Sequence, residues 1–161
     1  MSIYFSGEEI VEMGIKIEEM GQNFYESYAK DTKDEEIKKL FTFLAGEEVK
    51  HKKRFQKILD SMKRGEFSIL FDSEAVDQYF EAIVNTRIFT TPESAISLAK
   101  SSRDAIEAVN NAIVFEKDTL VFFYGFMEIV KDETREVIMK LVDEEKSHIR
   151  MLYDIKKAFN K

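Results

Sequence analysis

The sequence predicts an all-α chain: a four-helix bundle with one long crossover connection that contains one or two short helices. Three observations carry this expectation. Glycine (6) and proline (1) are scarce among 161 residues, too few for a turn-rich sheet. Apolar residues recur at alternating three- and four-residue spacing along four long stretches, the period of a core-facing helix. The breaks between the first two and the last two stretches are only a few residues, whereas the middle break is long. That is the connectivity of two antiparallel helix hairpins joined by a crossover.

The elements follow in order. The first helix starts after Ser6, where Glu9 completes a capping-box spacing, and runs to about Ala29. Asp31 and Thr32 interrupt it. Thr32 with Glu35 repeats the spacing, so the second helix is expected from about Lys33 to Arg64, with Gly65 as its stop. From Gly65 to Ser102 the pattern loosens. Asp72 or Ser73 is a cap for a short helix over Glu74 to Val84, Asn85 to Thr91 reads as a connector, and Thr91 followed by Pro92 opens a second short helix to Lys100. The third long helix begins near Ser101 or Ser102, separate from the short one or continuous with it, and ends near Val130; the Arg-Asp-Ala-Ile string at Arg103 reads as a helix start. Lys131 and Asp132 mark a tight turn, and the fourth helix spans Glu133 to about Ala158. Ile3 to Phe5 is too short to count as a strand.

Composition bounds the function. A chain of this length suits one domain over residues 1–161 with a core that needs no staples. It is 44% hydrophobic and 34% charged, with a formal net charge of -7. That acidity disfavours nucleic acid and anionic membranes as partners, and the Lys52 to Arg54 run reads as the wet face of the second helix. The longest apolar run, Leu120 to Met127, is far too short for a membrane span. Met1 to Gly7 has no basic stretch followed by an apolar one, so no signal peptide is visible and a cytoplasmic location is expected. Cysteine is absent, which excludes disulfides, thiolate metal sites, iron–sulfur clusters and cysteine nucleophiles. Phenylalanine (14) is in surplus. The cluster Phe115, Phe122, Phe123 and Phe126 goes round more than one face of its helix; it is mainly core, with part left for a homodimer interface or a hydrophobic wall.

What interrupts the apolar stripes is informative. The first helix reads Val11, Gly14, Glu18, Gly21, Tyr25, Tyr28; the second reads Ile37, Phe41, Leu44, Glu48, His51, Phe55, Ile58, Met62. The third reads Ile106, Val109, Ile113, Glu116, Leu120, Phe123, Met127, Val130; the fourth reads Ile138, Leu141, Glu145, His148, Leu152, Ile155. Each stripe carries a glutamate at mid-length, and two carry a histidine three residues later, which uses both histidines of the chain. Glu18 lies 14 residues before the first turn and Glu48 lies 16 after it. At about 1.5 Å per residue both sit roughly 20–25 Å from that turn. Glu116 and Glu145 lie 16 before and 13 after the second turn.

The pattern is also an internal repeat. Glu18 to Glu48 spans 30 residues and Glu116 to Glu145 spans 29. Ile15 and Ile113 stand three before the first glutamate of each half, Tyr25 and Phe123 seven after it, and the Glu-Glu-x-x-His string occurs at Glu47–His51 and Glu144–His148. Four carboxylates at one level of a bundle core would suffer desolvation and mutual repulsion. Six convergent oxygen and nitrogen donors therefore ask for cations. A pair of ions fits best, each with one histidine and one terminal carboxylate and with two carboxylates shared. The donor set favours iron, with manganese or zinc possible.

With these residues the chain resembles the rubrerythrin branch of the ferritin-like di-iron carboxylate superfamily. Glu18 with Tyr25, Glu116 with Tyr124, and the pairs Glu48–His51 and Glu145–His148 are similar to its ligand motifs, and the likeness covers about residues 8–158. The resemblance implies a non-haem di-iron oxidoreductase that reduces hydrogen peroxide or dioxygen with external electrons, a peroxidase or oxidase of oxidative-stress defence. It implies that Glu48 and Glu145 bridge, that Glu18 and Glu116 are terminal ligands, and that His51 and His148 each hold one iron. Tyr25 and Tyr124 are candidate hydrogen-bond donors behind the ligands, and Glu47 and Glu144 candidates to orient the imidazoles. Gly14 and Gly21, one turn either side of Glu18, leave space for a neighbouring side chain or a small oxidant.

Two departures are visible. Full-length rubrerythrins carry a rubredoxin-like domain on four cysteines, so here a separate donor protein such as a rubredoxin must bring the electrons. Their further site glutamate, three residues after the position of Glu116, is replaced by Thr119, which points to a symmetric six-ligand site. Glu81 in the crossover is expected at the surface. The competing readings are iron oxidation and handling with the same six ligands, and a non-enzymatic helical scaffold built round a structural zinc.

Overall fold

The computed structural model describes residues 5–66, 74–130 and 132–159. Six helices follow in order: α1 (Gly7–Asp31), α2 (Glu35–Lys63), α3 (Glu74–Asn85), α4 (Pro92–Ser101), α5 (Ala105–Ile129) and α6 (Asp132–Phe159). The described residues contain no strand and no helix long and apolar enough to cross a membrane.

Local chemistry sets most of the boundaries. At the start of α1, Ser6 Oγ accepts from Glu9 N at 3.1 Å while Ser6 N donates to Glu9 Oε2 at 2.6 Å, the capping box expected from the spacing. The second helix begins differently from expectation. Thr32 closes α1, its N–H donating to Tyr28 O, and Asp34 caps α2 by accepting from Glu36 N and Ile37 N at 3.0 Å each. Asp34 is a better acceptor for those free amides because its carboxylate also meets the positive end of the helix dipole. Arg64 and Gly65 end α2, and Gly65 takes the positive φ of 72° that a residue without a Cβ adopts freely. Thr91 and Pro92 start α4 as expected, with Ser94 completing a reciprocal cap. The third long helix is separate from α4: Ser102 caps the end of one, and Asp104 opens the other by accepting from Glu107 N at 2.8 Å. Asp132, expected in the turn, is the first residue of α6. Lys131 and the proposed caps Asp72 and Ser73 lie outside the described residues.

The four long helices form the bundle. α1 packs along α2, α5 along α6, and the hairpins meet through α1 with α5 and α2 with α6. Tyr28 at the end of α1 feels the charges of Asp104 and Glu107 at the start of α5. Phe55 in the second half of α2 packs on Phe123 and Phe126 late in α5, at 5.4 and 6.0 Å between ring centroids. So α5 runs antiparallel to α1 and parallel to α2, which is why the crossover must travel the length of the bundle.

That crossover covers the second face of α5. Helix α3 lies on α5 and α4 on α1, with Phe80 against Phe122 at 5.4 Å. Phe115, Phe122, Phe123 and Phe126 are all fully buried within the one chain, so the phenylalanines that circle α5 pack against the crossover as well as the bundle. Phe89, in the connector between α3 and α4, is wedged between Phe24 of α1 (5.6 Å) and Phe115 of α5 (5.0 Å). Ile88 N donates to Asp118 Oδ2 at 2.9 Å. These contacts pin the connector to the middle of α5.

Candidate metal centre

The stripe positions converge. Glu18 of α1, Glu48 and His51 of α2, Glu116 of α5, and Glu145 and His148 of α6 are all buried in the bundle interior. One donor atom from each of Glu18, Glu48, His51 and Glu145 lies within 4.8 Å of the other three. The same holds for Glu48, Glu116, Glu145 and His148. Glu48 and Glu145 belong to both groups. The imidazoles of His51 and His148 lie nearly parallel, 5.6 Å apart and 14° between planes.

Hydrogen bonding leaves the centre of this cluster unsatisfied. Both carboxylate oxygens of Glu18 and of Glu48, Oε2 of Glu116, Oε1 of Glu145 and Nδ1 of His51 are buried without a hydrogen-bond partner. His51 Nδ1 lies 2.7 Å from Glu145 Oε1 but is not aligned to bond it, and stands 3.7 and 3.8 Å from Glu18 and Glu48. His148 Nδ1 meets Glu145 Oε2 at 2.7 Å. Leaving a buried polar atom unpaired costs about 1–3 kcal/mol, more where it is charged. Unpaired oxygen and nitrogen donors at one level are a fit for cations, and the sharing of Glu48 and Glu145 divides them into two adjoining four-donor positions.

Electrostatics show the same tension. Burial, reinforced by Glu18 and Glu145, holds the Glu48 carboxyl well above its ordinary range. Burial and Glu145 do the same to Glu116. Burial alone would lower His51, but Glu145 and Glu18 outweigh it and push the imidazole up to about 11. Burial opposes ionisation of Glu145 too, yet His148 and His51 hold its carboxyl below the ordinary range. Protons and imidazolium thus carry the positive charge that cations would otherwise supply.

The surrounding candidates separate. Tyr25, fully buried, donates its hydroxyl to Glu116 Oε1, and burial next to Glu116 raises its pKa. Glu144 accepts from His51 Nε2 at 2.9 Å and from Arg54 Nη1 at 2.6 Å, so Arg54 is part of this bracing and not merely wet helix surface. Glu47 comes within 4.8 Å of a ring nitrogen of both histidines but bonds Lys50. Tyr124 is a correction: it is 43% exposed, with the Lys146 ammonium over its ring, and takes no part in the cluster. Eight residues after Glu116 is some 80° round the helix, whereas seven brings back the same face, and that position is Phe123. Glu81 is exposed as expected.

The space beside the two glycines is filled. A Cβ on Gly14 would stand 2.6 Å from the Phe55 ring; one on Gly21 would stand 2.5 Å from the Phe115 ring and 3.1 Å from Glu48 Cδ. Neighbouring side chains, not an oxidant, occupy it. Arg87 was not foreseen. It is buried (7% exposed), with Nη2 3.4 Å from Thr119 Oγ1 and its guanidinium carbon 5.4 Å from the Phe115 ring centroid.

Comparison with known proteins follows the geometry. A model of the rubrerythrin family matches residues 9–156. The fold is similar to the crystal structure of a Thermotoga maritima protein described as ferritin-like and diiron-carboxylate, with a TM-score of 0.74 and 24% identity over 96% of each chain. No curated protein matches the chain.

Proposed function

Because the chain belongs to the rubrerythrin family, we propose that its carboxylate–histidine cluster holds two iron ions and reduces hydrogen peroxide or dioxygen with electrons from a separate donor protein. The observation that carries this reading is the pair of buried four-donor groups sharing Glu48 and Glu145, with most of their oxygens unpartnered. A bound iron pair supplies two one-electron equivalents, enough to cleave peroxide to water once per cycle.

The protein's own part is to hold the donors and manage charge. Glu48 and Glu145 serve both positions; Glu18 with His51 completes one, and Glu116 with His148 completes the other. Glu144 fixes the imidazole of His51 from behind, leaving Nδ1 to face the cluster. Tyr25 holds Glu116 by one oxygen and leaves the other free. Phe115, fully buried, packs over Gly21 beside the Glu48 carboxyl, which limits water there and strengthens the electrostatic contacts inside.

The test is anaerobic purification followed by metal analysis, beside an E48A/H51A variant. Two irons per wild-type chain are expected, with an iron–oxygen charge-transfer absorption appearing after oxidation, and peroxide consumption when a reductase and a rubredoxin are added. The variant should stay helical by circular dichroism and lose at least one metal. Full occupancy in the variant would refute the ligand assignment. Retention of iron well beyond two per chain, without peroxide turnover, would favour iron handling, and a single zinc would favour the scaffold.

A further inference from the structure

Arg87 is a permanently charged group buried in the connector between α3 and α4. Its Nε and Nη1 have no hydrogen-bond partner, and no carboxylate of the described residues forms an ion pair with it. One contact, Nη2 to Thr119 Oγ1 at 3.4 Å, fixes the fork, while the face of the guanidinium rests on Phe115. A buried cation with two idle N–H groups is costly unless something accepts from them.

Its placement says where the acceptor belongs. Thr119 stands three residues after Glu116, one turn along the same face of α5, about 4.5 Å in rise. Phe115, the platform under the guanidinium, also fills the space over Gly21, next to the Glu48 carboxyl. The charge of Asp118 reaches Arg87 most strongly, followed by those of Glu18, Glu48 and Glu116, yet none of these carboxylates bonds it. The connector is held there by Ile88 N on Asp118 and by Phe89 between α1 and α5. The arrangement is therefore a fixed donor fork at the edge of the carboxylate cluster, with its carboxylates turned to other work.

We propose that Arg87, oriented by Thr119 and Phe115, is an anion subsite of the metal centre that takes a small monoanion of the hydroperoxide or azide class. The inference rests on the reading of the cluster as a metal site, since an anion would not enter beside four carboxyl groups with no cation among them. With two divalent cations in place the four carboxylates are neutralised and the charge of Arg87 is left over, with unfilled N–H groups on Nε and Nη1 to donate to a small anion's lone pairs. The ligand class is set by charge and donors: one fixed, buried cation with unfilled N–H groups calls for a small monoanion that accepts hydrogen bonds.

The test uses azide and the full chain loaded with Co(II), whose visible spectrum reports anion binding without turnover. Wild type, Arg87→Gln, Arg87→Lys and Thr119→Val are first compared by metal stoichiometry and by circular dichroism. Two metals per chain in all four, with azide Kd at least tenfold weaker in Arg87→Gln and intermediate in Arg87→Lys, which keeps the charge but not the planar, stacked donors, supports the subsite. Thr119→Val should weaken azide by less than Arg87→Gln, because it loosens the fork without removing it. Equal azide affinity in wild type and Arg87→Gln at equal metal content overturns the subsite and leaves the metal reading standing. A wild-type chain that binds no metal overturns both. If Arg87→Gln does not fold, Arg87→Lys and Thr119→Val decide: affinities for azide unchanged in both overturn the proposal, and a loss in either at equal metal content supports it.

Discussion

Glu48→Gln is expected to stabilise the metal-free protein and at the same time to abolish most of its response to metal. Glu48 sits where two donor groups overlap, fully buried, with neither oxygen bonded. Its folded-state pKa is raised above the ordinary carboxylate value, as is that of Glu116. A group with a raised folded-state pKa contributes stability that is complete below its unfolded value and is lost as pH rises through the folded value. For these carboxylates the loss begins above about 4.5. His51 acts in the same direction: its contribution is complete below about 6.5 and disappears as pH rises through about 11. Glu145 is opposite in sign, with a lowered folded-state pKa, and its contribution is lost only as pH falls below 4.5. Between pH 5 and 9 the metal-free wild type should therefore lose stability steadily.

Glutamine keeps the shape, removes the charge and adds two N–H donors for the oxygens of Glu18 and Glu145. A gain of about 1–3 kcal/mol at pH 8 is expected, which is a rise of roughly 2–4 °C in melting temperature per kcal/mol for a chain of this size. Thermal melts in a chelating buffer from pH 5 to 9 measure it. Added metal should raise the wild-type melting temperature more at pH 8 than at pH 5, because cations displace the protons held by Glu48 and Glu116, and the variant should show little of that rise. A wild type whose metal-free stability is flat across this range would contradict the account.

Gly21→Ala is expected to destabilise the fold even though alanine is the better helix former. The new methyl would meet two atoms of the Phe115 ring at 2.5 and 2.6 Å. That ring has nowhere to retreat: Phe89 stacks on it at 5.0 Å, Tyr25 meets it edge-on at 6.2 Å, and Arg87 lies 5.4 Å from its centroid. Overpacking of this kind costs about 1–3 kcal/mol, against about 1 kcal/mol gained in helix propensity. The methyl would also press on Glu48 Cδ at 3.1 Å, so metal affinity should fall together with stability. Gly46→Ala is the control. Gly46 is exposed on α2 with nothing near its would-be Cβ, so that change should stabilise by about 0.5–1 kcal/mol. Urea unfolding of the two variants side by side would expose an error, since the account requires shifts of opposite sign.

The bundle and the converging residues were legible because both are written in one helical period. Glu18, Glu48, Glu116 and Glu145 lie on stripes whose other members are core, and a helix carries every position of a stripe to the same face. Boundaries were less legible where two residues competed for one role: Thr32 and Asp34 both offer an oxygen, and the carboxylate took the amides. Tyr124 failed for a related reason, since one residue of slip turns a side chain from the interior to solvent. Arg87 left no periodic signal at all. It lies in a connector, and only the folded path of that connector across α5 puts a cation beside the carboxylates. Arg54 was masked by its basic neighbours, because pairing with Glu144 depends on how α2 and α6 face each other.

The two halves of the duplicated pattern are not equal in the folded chain. His51 is gripped from behind by Glu144, itself held by Arg54, while Glu47, in the matching place behind His148, is tied to Lys50 and the ring of His148 has the exposed Phe43 at its edge. One chamber thus has a stiff back wall and the other a looser one. Unloading with a chelator should then pass through a half-filled form emptied on the His148 side, so a twofold motif in the sequence becomes an ordered, two-stage vessel in three dimensions.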